Sequence, residues 1–169
     1  MESEKKFKVD IGNPRGDNIT ESEVEQAIRD ILNWVSSNVP NFSPSEGTSD
    51  SLVANAPFAL KKLFEIHDGG VPLQDTFRTI PVQQIKQAVE AGEVSINWKV
   101  SYLPFARNNE GEFLVADLST GEVLEWSIDY GVGEQLAQSM GLYLENIRNN
   151  MLSHKYQYID EDVGIIEGV

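Results

Sequence analysis

The chain lacks cysteine entirely and has only two histidines among its 169 residues. Without cysteine, disulfides and thiolate metal centres are excluded. His67 and His154 stand far apart, and neither has a second histidine three or four residues on. The paired imidazoles of a zinc or di-iron site are therefore not indicated, and both histidines read as residues near helix C-termini, where a cation is favoured. No stretch approaches the ~18 consecutive apolar residues of a membrane span. Bases are scarce, with 13 lysines and arginines against 27 acids and a formal net charge of −14. Such a surface repels nucleic-acid phosphates and anionic headgroups, so neither nucleic acid nor membrane is expected as a partner.

Catalytic motifs are missing too. Gly69-Gly70 has no following Lys-Ser/Thr, and Gly131-x-Gly133 lacks the strand-to-helix setting of a phosphate loop. There is no nucleophile elbow. Carboxylates are so plentiful that pairs of them carry no information, and the segment after Asp117 lacks the alternating oxygen ligands of a calcium loop. Asp117 directly precedes a turn and reads as an Asx-type acceptor for that turn's backbone. No catalytic residue, cofactor or metal site is expected. The opening MESEKKFKVD carries charges with no apolar segment behind them, so no signal peptide is expected and the location is read as cytoplasmic.

The pattern of what is present describes one domain spanning residues 1–169, large enough to bury a core unaided. Residues 1–19 read as an N-terminal strand or arm. Thr20-Glu21-Ser22-Glu23 matches a capping box, and Val24, Ala27, Ile28, Ile31 and Val35 follow at helical spacing, predicting a helix that ends near Ser37. Residues 38–56 predict a long loop. A second helix runs from Pro57, read as its first residue, to His67, where Asp68-Gly69-Gly70 supplies a left-handed cap. One or two short strands fit between Val71 and Ile80. A third helix opens at Pro81, turns Val82, Ile85, Ala88 and Val89 inward, and stops at Gly92.

Leu103 to Trp126 reads as three short strands joined by Asn108-Asn109-Glu110-Gly111 and Leu118-Ser119-Thr120-Gly121, turns in which glycine supplies the positive φ. A last helix from about Ser139 to Leu152 buries Met140, Tyr143, Leu144, Ile147 and Met151. Beyond it, 158–169 reads as an acidic tail whose apolar residues can dock as an added strand on this chain or on a partner. Helices, then a meander, then a helix give an α+β fold, a mostly antiparallel central sheet with helices packed around it.

Four segments in this order resemble the SUKH superfamily, typified by fungal cell-wall assembly regulators and killer-toxin resistance proteins. Leu63-Phe64-Glu65-Ile66-His67-Asp68-Gly69-Gly70 is similar to the family's helix running into an asparagine-glycine-glycine turn, with Asp68 where asparagine is usual. Leu103-Pro104-Phe105-Ala106 with Gly111 and Leu114-Val115-Ala116-Asp117 is similar to its central strand pair, with Leu103 in place of tryptophan. Gly121-Glu122-Val123 and the closing Ser139–Tyr156 segment match the remainder. The resemblance implies a SUKH-like fold and a non-catalytic binding role. Bacterial members look like immunity proteins that neutralise toxins, often nucleases, by direct association, and fungal members act as regulatory hubs.

Charge adds to this. Residues 102–169 hold 12 acids and 3 bases, whereas residues 1–101 hold 15 and 10. The expected partner is a basic toxin domain, met by Glu110, Glu112, Glu122, Glu125 and Asp129 on the meander and its turns. The chain itself is expected to be a monomer or weak dimer. A regulatory hub using the 38–56 loop and the tail, and a hydrolase using dispersed carboxylates, are the alternatives.

Overall fold

A computed structural model describes residues 19–50 and 53–168. The expected N-terminal arm lies outside these residues except for Ile19. The order of elements is α1 (Glu21–Asn38), α2 (Phe58–Ile66), β1 (Arg78–Thr79), α3 (Val82–Glu93), β2 (Tyr102–Arg107), β3 (Phe113–Asp117), β4 (Val123–Ser127), β5 (Gly131–Ala137), α4 (Met140–Leu152), β6 (Tyr156–Tyr158) and β7 (Ile165–Glu167). Five strands form one antiparallel sheet in the order β1-β2-β3-β4-β5, and β6 pairs with β7 separately. The fold is α+β.

Three of these helices start on an identifiable cap. The Thr20 hydroxyl accepts the Glu23 amide at 3.1 Å while the Glu23 carboxylate accepts the Thr20 amide at 2.9 Å, closing the capping box of α1. Ser139 caps α4 by accepting the Leu142 amide at 3.2 Å. Pro57 stands one position outside α2, at the N-cap instead of the first helical residue. α3 is capped from a distance: Pro81 supplies no side-chain bond, and the Asp68 carboxylate accepts the Val82 amide at 2.8 Å. A negative group at a helix N-terminus also meets the favourable end of its dipole.

The segment 67–70 departs from the expected glycine cap. α2 ends at Ile66, and the capping position is His67 in an extended conformation; the left-handed residues are Gly69 and Gly70, two positions later. His67 is buried. Its Nε2 accepts the Ser45 amide at 2.9 Å and its ring stacks on Phe42 at 5.4 Å. Burial pushes the imidazole below its ordinary pKa, against smaller upward pulls from the Gly69 backbone and Asp68. It is held neutral, so the cation expected at this helix end is not what the fold uses. The same junction fastens the long loop, since the Thr48 amide donates to the Phe64 carbonyl at 2.8 Å and the Asp68 amide to the Glu46 carbonyl at 3.1 Å.

The sheet is covered on both faces. On one, α4 lays Tyr143 edge-on to Phe105 at 6.0 Å, and Gly141 lets α4 approach Ile19, Val24 and Ala59. On the other, Trp98 packs at right angles to Trp126 at 4.9 Å and edge-on to Tyr102 and Phe113. Gly92 lies inside the last turn of α3 and does not terminate it, and a Cβ there would collide with the Trp98 indole. The two hairpin turns form as expected, with Gly111 at φ +81° and Gly121 at φ +88°.

β5 occupies a segment that the sequence reading assigns to no element; its glycines and two register shifts against β4 hide the strand alternation. The C-terminal segment docks as a strand on this chain, one of the two alternatives that its apolar residues allow. It folds back as the β6–β7 hairpin, Ile165 is buried, and Asp75 and Ile165 exchange backbone hydrogen bonds of 2.6 and 2.8 Å. Removing residues beyond Tyr156 therefore uncovers core instead of leaving the fold intact.

Asp68→Ala is expected to cost about 1–2 kcal/mol in a urea melt, the usual loss for a helix N-cap, while Asp68→Asn keeps most of the stability because its carbonyl still accepts the Val82 amide.

Candidate functional site

The acids expected to meet a partner divide between the two ends of the meander. At the β2–β3 turn, the Asn108 carbonyl oxygen accepts the Glu110 and Glu112 amides at 3.0 and 2.9 Å, and its amide donates to the Glu112 carboxylate at 2.9 Å. Glu110 is exposed and Glu112 half-buried. Asp129 is exposed on the β4–β5 turn at the same end of the sheet, where the Ser127 hydroxyl accepts the Tyr130 amide at 3.1 Å. Glu122 lies at the other end, on the β3–β4 turn, where its carboxylate accepts the Thr120 hydroxyl at 3.0 Å. Nearby, burial first and then the charges of Asp117 and Glu122 raise the Tyr102 phenol.

Asp117 is buried at that far end and does the Asx work read from its position. Its Oδ1 accepts the Ser119 amide at 2.9 Å and the Ser119 hydroxyl at 2.7 Å. Burial alone would raise its pKa, but these bonds, the Ser101 hydroxyl and the charge of Lys99 together hold it below the ordinary aspartate value.

Glu125 is the pivot of the acidic region. It stands opposite Leu114 in the β3–β4 ladder, and its side chain lies over Gly133, with Oε1 3.6 Å from where a Cβ would be. Burial raises its pKa, and the charges of Glu134, Asp75 and Glu112 raise it further, against a smaller downward effect of the Glu134 backbone amide. Burial likewise raises Asp75, whose backbone is fixed by Ile165, with Gln74 opposing. The fully buried Tyr143 hydroxyl donates to Gln74 at 2.8 Å. It is raised well above the ordinary tyrosine value by burial, then by Tyr156, Asp75 and Glu125.

The structure thus gathers Glu112 and Glu125, places Glu110 and Asp129 at the same end, and leaves Glu122 apart. It adds Asp75 and Glu134. Neither carried a signal in sequence: Glu134 sits on the strand that periodicity does not show, and Asp75 arrives through a bridge to a residue 90 positions away.

A second feature is apolar. The loop from α3 to β2 exposes Val94, Ile96 (99%) and Val100 (97%), and the β4–β5 region exposes Ile128, Tyr130 (87%) and Val132. Two contacts bring these segments together. Gly131 abuts the Asn97 side chain, and Val132 pairs with Trp126, on which Trp98 packs. The loop is thereby anchored by an indole while its flanking apolar residues face solvent.

Among the described residues, no group of three or more histidines, aspartates or glutamates is placed to hold a metal ion, and no helix is long and apolar enough to cross a membrane. No protein-family model matches the chain, and no curated protein matches it in sequence.

A carboxylate whose folded pKa is raised favours the fold in its protonated form. That contribution is fully present below the ordinary glutamate value and is lost as pH rises through the folded one. Glu125→Gln is therefore expected to raise the melting temperature at neutral pH, with the gain disappearing under acid conditions where Glu125 is itself protonated; thermal melts across this range check it.

Proposed function

We propose that this protein is a non-catalytic binding protein of the SUKH immunity type, acting in the cytoplasm to neutralise a basic toxin domain by direct association. One observation carries the reading: the charged groups acting on Glu125 are Glu134, Asp75 and Glu112, all of them acids. Repulsion of the half-buried Glu125 by these neighbours, of which Asp75 and Glu134 are exposed, disfavours the folded chain on its own. A cationic surface set against them turns that repulsion into attraction and accelerates encounter. The 12 acids against 3 bases in residues 102–169 extend the same potential beyond the cluster. Nuclease toxins present basic clefts to nucleic acid, and an acidic protein seated there would block phosphate access.

The regulatory-hub alternative relied on the 38–56 loop and the C-terminal segment as docking elements. Much of both is engaged within the chain, the loop by His67, Phe64 and Asp68 and the C-terminal segment by Asp75, which favours the immunity reading. Hydrolysis has one specific point in its favour, that Asp75 and Glu125 are both raised carboxylates and the charge of Asp75 acts on Glu125. Turnover of a panel of glycoside, ester and phosphodiester substrates that is lost in Glu125→Gln would support it in place of binding.

The test is titration with the purified product of the neighbouring gene. Binding is expected to weaken as ionic strength rises. Joint charge reversal of Glu110, Glu112, Glu125 and Asp129 is expected to weaken it by at least about tenfold, roughly 1.4 kcal/mol. Reversal of Glu122 alone, at the far end of the sheet, should change it little. Undiminished binding in the joint variant would refute the acidic face as the contact.

A further inference from the structure

β5 is the last strand of the sheet, and no strand among the described residues pairs with its outer side. It is seven residues long, against two for β1 at the opposite edge, and Val132, Gly133, Glu134 and Gln135 are all exposed. An open strand edge is a template for another extended chain. What distinguishes this edge is that its two faces differ in chemistry. On one lies Val132, opposite Trp126, with the exposed Tyr130 two residues before it. On the other lies Glu125, its side chain over Gly133 and raised in part by the charge of Glu134.

A strand laid against β5 projects successive side chains to opposite faces. One set meets the apolar side and the other meets the carboxylates. We propose that β5 is a docking edge for an extended segment of a basic protein in which apolar residues alternate with lysine or arginine. This rests on the proposed role as a binder of a basic partner and specifies how that partner is gripped. Charge complementarity selects the occupant. A second copy pairing along the same edge would bring Glu134 near its own equivalent, a like-charge arrangement that disfavours self-pairing. The anchored Trp98 loop presents Ile96 with little ordering left to do on binding.

The probes are two peptides of identical composition, three valines and three lysines, one strictly alternating and one in two blocks. Both carry N-methyl groups on one edge to prevent self-pairing. Each is titrated into the full chain while backbone amide shifts and hydrogen exchange are recorded by NMR. The alternating peptide should perturb residues 131–137, slow exchange there, and bind at least about tenfold more tightly than the block peptide. Glu134→Lys, an exposed and therefore structurally tolerant change, should abolish that preference. Equal binding of the two peptides, perturbation confined to other strands, or concentration-dependent protection of β5 in the protein alone would each overturn the proposal.

The adjacent-gene product separates this inference from the reading it rests on. If that product binds while the β5 amides stay unperturbed, the docking edge is wrong and the binding role stands. If the alternating peptide seats on β5 while that product does not bind, the edge stands and the immunity role fails.

Discussion

Antiparallel pairing of β3, β4 and β5 forces Glu125 toward Glu134 and Glu112, and the hairpin that returns Ile165 to Asp75 brings a fourth carboxylate to the same place. The ladders and the bridge set the backbone positions of these acids, so their side chains start close together. The repulsion is therefore sustained by the rest of the molecule, above all by the core beneath it. Phe105, displaced by the bulge in β2, meets Tyr143 of α4, and Leu114, Ala116 and Val123 complete the buried face. A packed interior tolerates such a concentration of like charge because hydrophobic burial is worth far more than the Coulomb energy of partly solvated acids.

The other face of the sheet obeys a different logic. Trp98, Tyr102, Phe113 and Trp126 pack mainly edge-to-face, an arrangement worth about 0.5–1.5 kcal/mol per ring pair beyond the area buried. The indole N–H groups of Trp98 and Trp126 are buried without hydrogen-bond partners among the described residues, so ring packing and the space left by Gly92 hold this cluster. The cluster in turn fixes the course of the loop that carries Ile96 and Val100.

Much of the architecture was legible in the sequence because its signals are local. The capping box at Thr20, the apolar stripes of α1, α3 and α4, the two glycine turns and the Asx bond of Asp117 each depend on residues within a few positions of one another. The acidic site was legible only in part. Glu110, Glu112 and Asp129 share one end of the sheet as the hairpin pattern implies, but which carboxylates lean on Glu125 depends on bulges that periodicity does not reveal. The role of Asp68 was hidden for the same reason. Its position next to two glycines suggests a turn, whereas the helix it caps begins 14 residues later. Ile165 looked like part of an acidic tail because nothing near it announces the bridge to Asp75.

The seat of His67 carries a consequence for acid conditions. A neutral imidazole can take the Ser45 amide proton; an imidazolium presents a hydrogen where that bond requires a lone pair. Because its folded pKa is lowered, the stabilisation it gives is complete above the ordinary histidine value and is lost as pH falls through the folded one. Acidification thus unfastens Phe42 and Ser45 from the end of α2, making this clasp an early point of opening. Retention of residues 42–45 against the end of α2 is a property of near-neutral surroundings.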